Sequence, residues 1–144
     1  MALDIGHKRT GLAISDESRL ISSPHSVIDT EPRKTWTERL SQIIAENEVT
    51  EVLVGIPLNQ FGEQGEDALN IQKYVALLRE RVSVPVIEWD ERFSTVQAEK
   101  TLIFADMSRK NRKQVIDKVA AAIILQNYLD SLRFKQGTAQ WEEP

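Results

Sequence analysis

At 144 residues and 41% hydrophobic, the chain can bury the core of one ordinary domain and is too short to divide comfortably into two. Its formal charge of -4 argues against a protein that coats nucleic acid indiscriminately, because such proteins carry a basic balance. The absence of cysteine excludes a disulfide framework, a thiolate zinc site and a cysteine nucleophile, so any bound metal must be held by oxygen or imidazole.

The chain opens directly into Met1-Ala2-Leu3-Asp4-Ile5, with no basic region followed by a long apolar stretch. Its longest apolar run, Val119 to Leu125, is far below membrane-spanning length, so neither a leader nor a membrane span is expected and the setting reads as cytoplasmic. Short strands are expected at Ala2 to Ile5, Thr10 to Ser15 and roughly Ser26 to Asp29, with Gly6-His7-Lys8-Arg9 as the first turn, pairing antiparallel as hairpins. After Thr30-Glu31-Pro32 the period changes: Trp36, Leu40, Ile43 and Ile44 stand at helical spacing, with the proline suited to a first helical turn. Glu51 to Gly55 is a short apolar run of the kind buried on both faces of a sheet, followed by Ile56-Pro57-Leu58 and a loop carrying Gly62 and Gly65. Ala68, Ile71, Val75 and Leu78 then make a second helix from Glu66, with acids in its first turn and Arg79 and Arg81 in its last. Val84 to Ile87 gives another strand, and strand, helix, strand implies a parallel crossover. Ser94 and Gln97 have capping-box spacing and open a third helix, Thr95 to about Phe104. A polar, basic loop leads to a last helix from Val115 to Leu132, and the tail from about Phe134 loses periodicity. The order βββαβαβαα describes an α/β domain over 1–133 with a five-stranded mixed sheet, three strands antiparallel and then two parallel, and a flexible tail over 134–144. Sites in such sheets collect beyond the carboxyl ends of the parallel strands.

Three acidic positions lie where carboxylates are costly. Asp4 sits in an apolar strand signal, separated from Gly6 by one residue; alone, it is ordinary turn chemistry. Asp117 is followed by Ala120, Ala121 and Ile124, which puts it on an apolar, sheet-facing stripe; alone, it is an acid favoured in a first helical turn. Asp90-Glu91 ends a strand, with Glu88 nearby, and the residues themselves leave open which acid points inward. Together, carboxylates brought from distant parts of the chain supply the oxygen ligands that two hard cations need beside a phosphate. The basic pair Lys8-Arg9 and the block Arg109, Lys110, Arg112 and Lys113 are solvated surface unless they meet a phosphate backbone.

Four segments, Asp4 to Asp16, Val54 to Leu58, Asp90 to Thr95 and Asp117 to Gln126, closely resemble the YqgF (RuvX) family of Holliday-junction-resolvase-like nucleases, in the right order and across Met1 to about Leu129. The resemblance implies an RNase-H-like fold, dependence on Mg²⁺ or Mn²⁺ at a two-metal site, and phosphodiester hydrolysis, with a role in ribosome biogenesis by trimming the 5′ end of precursor 16S rRNA. It places the family's catalytic and metal-binding acids on Asp4, Glu91 and Asp117, its loop after the fourth strand on Gly55, Pro57 and Leu58, and its next motif on Arg92, Ser94 and Thr95. Lys8, Arg9, Arg109, Lys110, Arg112 and Lys113 complete the expected substrate surface. One departure is that only three residues precede Asp4, which makes the first strand unusually brief. His7 occupies a variable turn position, where histidine is usually just solvated.

Two other classes compete. Asp4-Ile5-Gly6 also resembles the first phosphate motif of actin-like kinases and ATPases, but those enclose ATP with a second domain for which this chain has no room. A non-catalytic factor binding structured RNA or a transcription complex would use the same surface, yet has no need of buried like charges. Precursor rRNA against branched DNA, and monomer against homodimer, are not decided by these residues.

Overall fold

A computed structural model describes residues 1–59, 61–91 and 109–142, with side chains over 1–59, 61–91 and 116–133. Strands β1 (Ala2–Ile5), β2 (Arg9–Ser15) and β3 (Ser22–Asp29) precede helix α1 (Arg33–Glu46). Then come β4 (Val52–Ile56), α2 (Glu66–Arg81), β5 (Val86–Asp90) and a final helix, α3 (Arg109–Glu142). The sheet order is β3-β2-β1-β4-β5. The β1–β2 and β2–β3 pairs are antiparallel and the β1–β4 and β4–β5 pairs parallel, which is the expected mixed sheet.

The two faces of the sheet are covered differently because strand side chains alternate. Leu3, Ile5, Leu12, Val52, Val54 and Ile56 face α1 and α2, where Trp36, Leu40, Ala68, Ile71, Val75 and Leu78 close the larger core. The opposite face presents Ala2, Ala13 and Leu53 to Ala121, Ile124, Leu125 and Leu129 of α3. Alanine on both sides of that second interface lets α3 lie close to the sheet. By alternation from Ala2, Asp4 stands on the α3 face.

A chain of buried polar contacts fixes the turn after β1. The Trp36 indole Nε1 donates to Thr10 Oγ1 at 3.0 Å, the Thr10 and Thr30 hydroxyls are 2.9 Å apart, and Thr30 Oγ1 donates to the Gly6 carbonyl at 2.8 Å. Since the Thr30 proton is spent on Gly6, Thr10 must donate to Thr30, and every donor in the chain is used once. The Thr30 backbone N–H adds a bond to the Lys8 carbonyl at 3.0 Å.

Several boundaries differ from the sequence-based expectation. The third strand begins at Ser22 rather than Ser26 and runs through Pro24, which is tolerated because β3 is an edge strand. Pro32 is the N-cap of α1 rather than part of its first turn. The last parallel strand covers Val86–Asp90 rather than Val84 to Ile87, with Pro85 just before it and its carbonyl accepting from the Val52 N–H at 2.9 Å. The basic stretch read as a loop before the last helix is already helical from Arg109, and that helix continues past Leu132 to Glu142. The helix expected at Thr95 to Phe104 lies outside the described residues. Among the described residues, no helix is long and apolar enough to cross a membrane.

Candidate active site

The site is built on one row of residues crossing the sheet on its α3 face. Asp4 of β1 pairs in register with Gly11 of β2. On its other side, β1 and β4 run parallel with Ala2 beside Leu53 and Leu3 beside Val54, so the next step sets Gly55 beside Asp4. Gly55 in turn pairs with Trp89 of β5. Asp4 therefore sits on a central strand between two glycines, and the missing side chains are occupied by other parts of the site.

Over Gly11 lies the backbone of Asp117: a Cβ built there would fall 2.0 Å from the Asp117 carbonyl oxygen, so only glycine permits α3 to seat at this point. Over Gly55 lies the side chain of Glu91, whose Oε1 would stand 2.8 Å from an added Cβ, with Ile124 Cδ1 also at 2.8 Å. Asp90 and Glu91 lie on different faces of the sheet. Asp90 pairs with Ile56, whose side chain belongs to the α1/α2 core, whereas Glu91, one residue beyond the strand, folds back over Gly55 on the α3 face.

Asp4 and Glu91 line one pocket of about 190 Å³. Its remaining wall comes from Ile5, Gly6, His7, Pro57, Asp67, Asn70 and Ile71. Asp117 is half-buried beside this row, and its Oδ2 accepts a hydrogen bond from Arg9 Nε at 3.0 Å. Among the described residues, no three histidine or acidic side chains stand in a group able to hold a metal as they are placed. The three acids thus surround one row of the sheet, two sharing a pocket and the third engaged by Arg9. All three offer carboxylate oxygen, the donor suited to Mg²⁺ or Mn²⁺.

Of the expected substrate surface, Pro57 lines the pocket and Gly55 is covered by Glu91. Leu58 is half-buried against the larger core and bridges to Gln64. Lys8 is exposed in the turn, and Arg9 is the partner of Asp117. The backbones of Arg109, Lys110, Arg112 and Lys113 form the first turns of α3, while Arg92, Ser94 and Thr95 lie outside the described residues.

Sequence reasoning missed the contribution of α2. Asp67, read there as an acid complementing the helix dipole, and Asn70 both line the pocket, and His7 Nε2 stands 3.5 Å from Asp67 Oδ1. The signal was available: Asp67, Asn70 and Ile71 are spaced i, i+3, i+4, one face of a helix that follows directly on the Gly-containing loop.

The model of the Holliday junction resolvase family RuvX matches residues 1–131 of the chain. A protein of Thermoanaerobacter pseudethanolicus named "Putative pre-16S rRNA nuclease" is 47% identical over 136 residues, which are 94% of this chain and 98% of the relative. A Geobacillus kaustophilus protein of the same name is 48% identical over 135 residues, 92% of this chain and 98% of that one. Among solved structures, Thermus thermophilus RuvC in complex with a Holliday junction substrate superposes with a TM-score of 0.57 at 18% identity, covering 91% of this chain and 93% of RuvC. A second T. thermophilus RuvC structure gives 0.56 at 13% identity, covering 92% and 94%. At those identities the likeness speaks for the fold, which is that of RuvC.

Proposed function

The chain belongs to the RuvX family of Holliday junction resolvases, and from that membership we propose that it is a metal-dependent nuclease that matures the 5′ end of precursor 16S rRNA in the cytoplasm. The observation that carries this reading is the placement of Asp4 between Gly11 and Gly55, with Asp117 packed over one glycine and Glu91 over the other. Two residues without side chains in the middle of a packed sheet weaken it. Here they make room for acids, and carboxylates crowded at strand ends repel each other unless a cation joins them.

Asp4, Glu91 and Asp117 would hold Mg²⁺ or Mn²⁺ through carboxylate oxygen. A bound divalent ion supplies a more acidic water and a countercharge for the oxygens of the phosphate under attack. The protein's own residues do the rest. Asp4 is held on the central strand, Glu91 lies over Gly55, and the turn carrying His7 and Lys8 is fixed by the Thr30 bonds to Gly6 and Lys8. Lys8 and, from the first turns of α3, Arg109, Lys110, Arg112 and Lys113 would contact the phosphate backbone, which holds the strand without reading its bases. The nuclease domain would span 1–133, with α3 running on beyond it to Glu142.

Purified protein incubated with end-labelled precursor 16S rRNA and, separately, with a four-way DNA junction tests this reading. Mn²⁺-dependent cleavage of the RNA is expected, lost in Asp4→Asn. Cleavage of the junction alone would make branched DNA the substrate, and cleavage of neither would refute the nuclease.

A further inference from the structure

We propose that Arg9 is a stand-in cation for the acidic site: its guanidinium neutralises Asp117 in the metal-free protein and gives up that carboxylate when Mg²⁺ or Mn²⁺ binds. The proposal rests on the metal-dependent reading above and adds a device to it. Arg9 opens β2 and lies on the same face as Gly11, two residues further on. Gly11 is the residue on which the Asp117 backbone is seated, so the backbone of the third acid is anchored independently of the partner its side chain takes. That side chain is spoken for by Arg9 Nε at 3.0 Å, and no metal-holding group of three is assembled among the described residues. Occupation of Asp117 by a cation already present accounts for both facts.

The energetics favour exchange. Arg9 offsets the charge of Asp117 through an ion pair whose partners keep 32% and 26% of their side-chain surface in solvent. A part-buried pair with that much solvent contact is partly screened, and a doubly charged ion that several oxygens hold at once can displace it. Once that ion is in place, the guanidinium is a like charge beside it and is repelled towards the open side of the turn. The charged groups around Arg9 that bear on this balance are Asp117 from α3, Asp29 of β3, which pairs with Arg9 in register, Lys8 beside it in the turn, and Asp4 of β1, whose register partner is Gly11 two residues further on.

The test is Mn²⁺ binding measured by titration calorimetry on wild type, Arg9→Gln, Arg9→Lys and Asp117→Asn, with folding of each verified by circular dichroism. Arg9→Gln should bind Mn²⁺ about 2- to 5-fold more tightly than wild type, the size of an exposed ion pair that no longer competes. Arg9→Lys, which keeps the charge, should stay near wild type. A second measurement needs no variant: in wild type, the Arg9 Nε–Hε resonance should shift along the same saturation curve as Mg²⁺ is added. Equal or weaker Mn²⁺ binding by Arg9→Gln, or an Arg9 resonance unmoved at saturating Mg²⁺, would overturn the proposal while leaving the metal site intact. Failure of wild type to bind either ion would remove the metal-dependent reading itself, and this proposal with it.

Discussion

At the scale of single residues, the site depends most on two positions that have no side chain. A methyl at Gly55 would meet Glu91 Oε1, Glu91 Cγ and Ile124 Cδ1 at 2.8 to 2.9 Å, so Glu91 must move. Gly55→Ala is therefore expected to cost about 1–3 kcal/mol of stability by overpacking, and to slow cleavage on the order of 10²-fold through misplacement of the acid. Thermal unfolding and Mn²⁺-dependent cleavage check the two effects separately, and full activity in this variant would contradict the placement of Glu91. Asp16 gives a pH dependence of known sign. Its carboxylate accepts from Ser18 Oγ at 2.5 Å and from the Ile21 and Leu20 backbone N–H groups at 3.1 and 2.8 Å, and these bonds hold its pKa below the ordinary 3.8. Because the folded value is the lower one, the unfolded chain binds more protons between the two. The stabilisation is thus complete above the ordinary value and is lost as pH falls through the lowered one. Asp16→Asn should flatten the acid limb of a plot of urea midpoint against pH, and an unchanged limb would dismiss the turn as a contributor.

At the scale of elements, the turn between β1 and β2 is as well anchored as a strand. Thr30→Val keeps the shape but leaves the Gly6 carbonyl without its donor and the Thr10 hydroxyl without its acceptor. The expected cost is about 1–3 kcal/mol, read as a lower midpoint in denaturant at constant slope. A midpoint within error of wild type would show that the chain of hydroxyls carries no stability. The same elements show what was legible beforehand. β1, β4, α1 and α2 announce themselves through apolar runs and helical spacing, and their observed limits lie within a few residues of the expected ones. β5 was displaced because Val84-Pro85 looks strand-like in composition, whereas ladder pairing with β4 continues through Trp89 and Asp90. The basic turns at the start of α3 look like a loop by charge alone, yet arginine and lysine are good helix formers and the helix that buries Val119 simply extends back through them. Asp4 and Asp117 stand out as candidates through their apolar surroundings. Glu91 could not be separated from Asp90 without the family, because the choice turns on where β5 ends and on the space above Gly55, which are properties of the register. The pairing of Arg9 with Asp117 joins β2 to α3 across most of the chain and leaves no local trace.

At the scale of the whole molecule, the three layers divide the labour. α1 and α2 bury the large side chains, Trp36, Leu40 and Leu78 among them, and supply most of the apolar burial. α3 closes a face on which Ala2, Ala13, Gly11 and Gly55 stand beside Leu53, and the small residues let it bring Asp117 down onto the row that holds Asp4. The overall charge of -4 is compatible with a nucleic-acid enzyme because net charge is not the local field, and basic residues stand together at the turn after β1 and in the first turns of α3. The central claim is that the three acids around this row are one metal site. Anomalous diffraction at the manganese edge from Mn²⁺-soaked crystals tests it most directly. The account predicts a peak bounded by carboxylate oxygens of Asp4, Glu91 and Asp117, with Asp117 released from Arg9; density free of any peak there at saturating Mn²⁺, or manganese held by other side chains, would contradict it.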